Sequence, residues 1–361
     1  MRPRGGSSQE LWLRLALAAG AFALACGLSA LRIGHGAPDF YVFWTAARHW
    51  QAPYDPAIIA HLEAQIHLGG VWPFAYPPTF LVLVWPFTLA PLALAYPLWT
   101  GLEAGLFVYA AAGLVRPAWA TVFLAATPVV FFAAALGQTS LIVGAAMIGA
   151  WQLRETRPAV AGALLGLAAC VKPQALLLAP VVFWGRWRLL GWMAAMGAAL
   201  VAASLAFGWQ RWLEWRDALA AFRALAPQTD RINPSALSPS AAWMILMGAL
   251  GLCLAVSLRD LVGLVGGALC LTPYAHAYDL APLAPVALAW LLEWKTRGWP
   301  HAILGGALLA GIITTPTAAL GFLAAIAFVR SGVFAKEPTF GFAWVSTRPA
   351  EPPEPSPIYE A

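Results

Sequence analysis

The chain reads as an all-α polytopic membrane protein, and three observations predict it. Hydrophobic residues make up 61% of its 361 residues and charged ones only 10%, with a mean hydropathy of +0.72, a composition no water-soluble globule carries. Apolar runs of roughly the length that spans a bilayer recur along it, starting with Leu11 to Ile33. The basic residues behind its formal charge of +5 sit as short punctuation between those runs. They therefore set topology rather than forming one patch, which excludes nucleic acid as a partner.

The elements follow in order. Leu11 to Ile33 carries Arg2, Arg4 and Arg14 on its amino side, so the amino terminus is expected to be cytoplasmic. Ala23-Leu24-Ala25-Cys26 resembles a processing site, but the apolar run continues past it, so it reads as a retained helix. Gly34 to Thr79 is the longest polar excursion, mixing Trp44, Trp50, Tyr54 and Trp72 with Arg48, His49, Asp55 and Glu63. It predicts a long first extracytoplasmic loop with interfacial helices. One of these is an amphipathic helix over Ala57 to Leu68, with Tyr76-Pro77-Pro78 ending it, because the residue before a proline avoids helical angles. Phe80 to Val115 is long enough for two passes, yet parity with Arg116 inside allows one crossing and one interfacial or re-entrant piece.

Arg154-Glu155-Thr156-Arg157, Arg186-Trp187-Arg188, Arg259 and Lys295 with Arg297 are expected on the cytoplasmic side. Between Arg157 and Arg186 the chain then enters and returns as two short helices broken at Lys172-Pro173, which puts Lys172 at the far face. Leu189 to Gly208 goes out. Trp209 to Ser240 forms an outer loop holding Arg211, Glu214, Arg216, Asp217, Arg223, Asp230 and Arg231. Ala241 to Ser257 returns, Leu261 to Thr272 goes out, and Tyr274-Ala275-His276-Ala277-Tyr278-Asp279 lands outside before Leu280 to Leu292. Passes near Ala302 to Thr315 and Ala318 to Val329 complete about twelve crossings. Residues 1–330 thus form one membrane domain, and the Pro-rich segment 331–361 a cytoplasmic tail without chemistry.

Cys26, Cys170, Cys253 and Cys270 lie inside apolar runs without the close pairing of a zinc or redox site, and read as small buried hydrophobes. His61, Glu63 and His67 do not complete a metal geometry, because His61 and His67 point to different sides of a helix, so no metal is expected. There is no nucleotide-binding Gly-rich loop, Gly-x-Ser-x-Gly elbow or Rossmann fingerprint, and no cofactor is expected.

The polar residues that parity gathers on the outer face are the candidate site. Asp39 opens the first polar stretch beside aromatics, and caps a helix starting near Phe40 or serves as a base. Lys172 is the only lysine within a hydrophobic segment, where an ionisable group is costly enough to suggest function; its alternative is a snorkelling lysine at a helix end. His276 and Asp279, three apart, share a face on one helical turn and pair with each other or with a phosphate. Gln138, after Gly137 at a helix boundary, is placed to hydrogen-bond hydroxyls. Transport by broken helices at the bilayer midplane is the competing class, but no second break matches Lys172-Pro173.

Pro38-Asp39-Phe40-Tyr41, Ala46-Ala47-Arg48, Tyr54-Asp55, Tyr76-Pro77-Pro78, Gly137-Gln138, Ala161-Gly162 to Lys172-Pro173, and Pro273-Tyr274 to Tyr278-Asp279-Leu280, in this order and spacing, resemble glycosyltransferase family 87. The resemblance covers roughly residues 11 to 330. It implies a GT-C-type fold and transfer of a sugar, mannose in the best-studied members, from a polyprenyl-phosphate-sugar donor to an acceptor hydroxyl on the extracytoplasmic face. The acceptor is a glycolipid, a polysaccharide or a protein. It also implies that Asp39, the acidic residue of the first loop, is the base of an inverting transfer. Lys172, His276, Arg211 and Arg216 then become candidates for the donor phosphate, and Gln138, Tyr41, Arg48, Tyr76 and Asp279 for sugar or acceptor. Arginine far outnumbers lysine and alanine dominates, so the expected location is a bacterial inner membrane. A multi-pass transporter or flippase of a lipid-linked or small polar substrate is the alternative.

Overall fold

The computed structural model describes residues 8–32, 39–65, 73–225, 240–272, 276–293, 295 and 298–314. Among them every regular element is helical. The chain runs through α1 (Ser8–Leu31), α2 (Asp39–Arg48), α3 (Pro56–Gln65), α4 (Pro78–Val84), α5 (Leu92–Ala112), α6 (Pro128–Leu136), α7 (Ser140–Leu153) and α8 (Pro158–Val171). It continues through α9 (Ala179–Val182), α10 (Trp187–Ser204), α11 (Gln210–Leu225), α12 (Ala241–Leu258), α13 (Leu261–Leu271), α14 (Ala284–Leu292) and α15 (Trp299–Thr314).

Three segments are long and apolar enough to cross a membrane among the described residues: Ser8–Leu31, Trp187–Phe207 and Ala241–Leu258. A fourth arises if Ala118–Ala126 and Pro128–Leu136, bent by 76°, make one span. α5 has 21 residues and carries Pro97 and Glu103 inside it, and a further set of apolar helices has 10–17 residues. This is an integral membrane protein, with fewer full-length spans here than the about twelve crossings that parity predicts. Parity counts each break as a return, whereas several of these helices are too short to cross alone. The predicted pass Ala318 to Val329 and the tail 331–361 lie outside the described residues.

Two local expectations differ from the structure. The predicted polar loop after Gly208 is α11, a 16-residue helix through Leu225, because Leu, Ala, Arg and Glu are strong helix formers even without an apolar stripe. Pro77-Pro78 opens α4 instead of closing a helix: Pro78 sits in the first turn, where a missing N–H costs nothing. The predicted interfacial helix over Ala57 to Leu68 is α3, described over Pro56–Gln65, and residues 66–68 lie outside the described residues.

Small residues let helices approach closely. A Cβ on Gly162 of α8 would stand 2.2 Å from the Leu189 carbonyl oxygen of α10, and one on Gly166 2.6 Å from that of Met193. Gly267 of α13 likewise lies against the Gly251 carbonyl oxygen of α12. The part of the core that bears on function is aromatic. Phe40 stacks on Trp99 at 5.3 Å and on Tyr96 at 6.2 Å, while Tyr76 packs against Phe80 at 4.6 Å and Phe43 at 4.8 Å.

Candidate active site

Three backbone features bring the polar groups together. Gly137 ends α6 at φ +64°, a left-handed turn glycine adopts freely. A Cβ there would stand 2.8 Å from the Phe40 Cβ, so this glycine lets the start of α2 meet the α6–α7 junction. Pro173 stops α8 and leaves Lys172 as an extended C-cap, as expected of a residue before proline. His276 caps a 3-10 helix, Ala277–Leu283, in a reciprocal capping box with Asp279.

Gln138, Thr139 and Ser140 are consecutive, and each reaches a different partner. Gln138 Nε2 donates to Asp39 Oδ2, and Gln138 Oε1 accepts from the Tyr76 hydroxyl at 3.2 Å. Thr139 Oγ1 meets the same hydroxyl at 3.1 Å. Ser140 Oγ accepts from Lys172 Nζ at 2.9 Å and donates to Asp279 Oδ1 at 2.8 Å. Lys172 Nζ also contacts Asp279 Oδ1 at 2.5 Å and lies 5.2 Å from the centre of the Tyr278 ring. The other Asp279 oxygen accepts from the His276 N–H at 3.0 Å. Lys172 is only 7% exposed, so this pair is largely withdrawn from water, with two of the three ammonium N–H groups taken by Ser140 and Asp279.

Asp39 is half-buried at the first turn of α2, where the helix dipole favours a negative charge. Desolvation by burial raises its pKa above the ordinary carboxylate value, opposed by the Gln138 hydrogen bond and by the Lys172 charge. Burial likewise pushes the Tyr76 hydroxyl up to about 12, so it keeps its proton at neutral pH. Beside Lys172 a small cavity of about 40 Å³ has a polar wall of Ser140, Lys172, Gln174 and Asp279 and an apolar one that includes Val143, Met147, Val265 and Leu269.

The structure thus joins Asp39, Gln138, Tyr76, Lys172, Asp279 and His276 of the residues singled out from the sequence. It places the others elsewhere. Tyr41 is buried in the aromatic core, edge-on to Tyr96. Arg48 donates to the Thr88 carbonyl at 3.2 Å and covers the Trp44 ring. Arg211 pairs with Glu214 and Arg216 with Asp217, both within α11, and α11 reaches the site region through Trp215 Nε1, which donates to the Ala75 carbonyl at 3.0 Å. His67 lies outside the described residues, among which no group of three or more His, Cys, Asp or Glu is placed to hold a metal ion.

Sequence reading passed over Thr139, Ser140 and Glu103. Hydroxyl residues are ordinary in apolar helices and gave no signal. Glu103 did give one, an acidic residue in the middle of an apolar run. It is 1% exposed in α5, and neither carboxyl oxygen has a hydrogen-bond partner among the described residues. Glu103 lies one turn beyond Trp99, whose Nε1 donates to the Gly137 carbonyl at 2.9 Å, and within reach of the Lys172 charge.

Neither a curated protein nor a solved structure gives a significant match. A family model does, that of glycosyltransferase family 87, over residues 74–292. The matched span takes in Tyr76, Gln138, Lys172 and Asp279 and begins after Asp39. With most of its length matched, and its buried polar cluster within or beside that span, the chain belongs to glycosyltransferase family 87.

Proposed function

We propose that this membrane glycosyltransferase moves a sugar, mannose being the leading choice, from a polyprenyl-phosphate-sugar to an acceptor hydroxyl on the extracytoplasmic face. Asp39 is the general base. The acceptor is a glycolipid, a polysaccharide or a protein, and the setting is a bacterial inner membrane with both termini cytoplasmic. The fold assigned is GT-C-type. Family membership favours this enzyme over a transporter or flippase.

The observation that carries the reading is the joining of a carboxylate and a buried cation through one junction: Gln138 holds Asp39 and Ser140 holds Lys172. Gln138 occupies Oδ2, which leaves Oδ1 for the acceptor. The acceptor oxygen attacks the anomeric carbon while its proton passes to Asp39. The bond from that carbon to the phosphate oxygen breaks, and its electron pair leaves with the phosphate. Attack opposite the leaving group inverts the anomeric centre.

Negative charge grows on the phosphate as that bond breaks, and a preorganised cation lowers the barrier. Lys172 supplies it. Its cavity is far smaller than a lipid, so it marks where the charged head meets the protein, and the apolar wall suits the start of a polyprenyl chain. His276, beside Asp279, is a second donor for the phosphate. Arg211 and Arg216 are the weaker choices because their ion-pair partners lie within α11, whereas Lys172 is joined to the Asp39 junction through Ser140.

The reading is tested by supplying membranes with labelled polyprenyl-phosphate-sugar. It requires label in an acceptor with the anomeric configuration opposite to the donor's. Retained configuration, or transfer from nucleotide-sugar alone, would overturn it.

A further inference from the structure

We propose that Tyr76 is a positioning residue for the base: by donating its hydroxyl proton to Gln138 Oε1, it holds the amide with Gln138 Nε2 turned toward Asp39. The inference rests on the reading of Asp39 as base and adds how the base is kept ionised.

A glutamine amide has one accepting end and one donating end. Gln138 Oε1 only accepts, so the single hydroxyl proton of Tyr76 is committed to it across the 3.2 Å contact. At the 3.1 Å contact with Thr139 the direction is then settled as well: Thr139 Oγ1 donates and Tyr76 accepts. The result is a one-way chain from Thr139 through Tyr76 and Gln138 to Asp39 Oδ2. Its last link is an N–H facing a carboxylate, which favours the ionised base.

The reversed amide would place Oε1 against Asp39, an arrangement satisfied only when Asp39 carries the proton. By anchoring Gln138 with its Nε2 on Asp39, Tyr76 favours the ionised, reactive form of the base. Its hydroxyl keeps its proton, being pushed up to about 12 by burial, so the bias persists at every working pH.

Tyr76 is built to hold this position. Its ring lies among Phe43, Phe74 and Phe80. Its own carbonyl accepts from the Tyr54 hydroxyl at 2.8 Å, and the preceding carbonyl, of Ala75, accepts from Trp215. Gln138 is 4% exposed, so water does not readily replace a lost partner. The charged and titratable groups that act on Asp39 and Tyr76 are Lys172 and, paired with it, Asp279. Both are unchanged by substitutions at Tyr76 or Gln138.

The test is transfer from labelled polyprenyl-phosphate-sugar in membranes, followed against pH, for wild type, Tyr76→Phe, Gln138→Leu, the double variant and Asp39→Asn. Tyr76→Phe keeps the ring and its packing and should move the acid limb upward by about half to one pH unit, a threefold to tenfold loss below the limb. Its high-pH rate should stay near that of wild type. Gln138→Leu should shift the limb at least as far, and the double variant no further than Gln138→Leu alone, because both act through one hydrogen bond. An unmoved limb in Tyr76→Phe, an equal rate loss at all pH values, or additive shifts would overturn the inference. Wild-type transfer by Asp39→Asn would overturn the base assignment itself, which keeps the two failures distinct.

Discussion

Removing Lys172 should unfold part of its surroundings as well as stop chemistry, and the two effects can be separated. Lys172→Met leaves Asp279 Oδ1 without the cation that stood 2.5 Å away, in a pair whose side chains are 9% and 18% exposed. An exposed pair of this kind contributes about 0–1 kcal/mol, whereas breaking a buried one costs about 3–5 kcal/mol because the surviving charge is stranded. Asp279 keeps the Ser140 hydroxyl and the His276 N–H, which places the cost near the lower end, about 3 kcal/mol. Lys172→Met combined with Asp279→Asn removes the stranded charge and should recover most of that loss. The pair should then show a coupling of at least about 2 kcal/mol in a double-mutant cycle. The assay is the unfolding midpoint of purified protein in detergent, read beside sugar transfer in membranes. Transfer should be lost in both variants, because neither has a cation for the leaving phosphate. A Lys172→Met protein as stable as wild type would refute the buried pair. A double variant that recovers transfer together with stability would reduce Lys172 to a structural role.

Two further predictions follow from the packing and from the base. Gly162→Val puts methyl groups where even a Cβ stands 2.2 Å from the Leu189 carbonyl oxygen, so it should lower stability by at least the about 1–3 kcal/mol of ordinary overpacking. Gly191→Ala, on the α10 side of the same helix pair with nothing within 4 Å of its Cβ, should not lower the midpoint and should raise it by up to the about 0.5–1 kcal/mol that alanine gains over glycine in a helix interior. For pH, burial is the largest influence on Asp39 and raises its pKa. The ionised base is then lost on acidification sooner than an ordinary carboxylate of pKa about 3.9 would be. Transfer should rise with pH through a limb above that value, and a limb at or below it would contradict the placement of Asp39.

Much of the site was legible because ionisable residues are conspicuous in an apolar chain. Asp39, Lys172 and Asp279 are costly in such surroundings, and Pro173 explains from sequence alone why α8 ends at Val171 and exposes Lys172 as a cap. The His276–Asp279 spacing suggested a shared helical face, whereas the structure joins the two through side-chain-to-backbone bonds, with His276 capping a 3-10 helix. What stayed hidden depends on chain crossing. Ser140 meets residues 32 and 139 positions away, and Gln138 meets Asp39 across 99, distances over which local pattern carries no information. Gln138 was therefore read only as placed to hydrogen-bond hydroxyls, and its bonds to Asp39 and Tyr76 gave no sequence signal. The part of Trp209 to Ser240 that is described, up to Leu225, is helical rather than a loop for a different reason. Its charges look like a solvated connection, while its helix formers fold into α11 and Trp215 fastens it to Ala75.

The most direct measurement is sugar transfer by Asp39→Asn at matched expression, using membranes, labelled polyprenyl-phosphate-sugar and endogenous acceptor. Asparagine keeps the size of the side chain while removing its charge and its ability to take a proton. Loss of a general base lowers the rate by about 10²–10⁴-fold, so the account predicts transfer reduced by at least a hundredfold while the unfolding midpoint holds. Transfer by Asp39→Asn within a few-fold of wild type would contradict it.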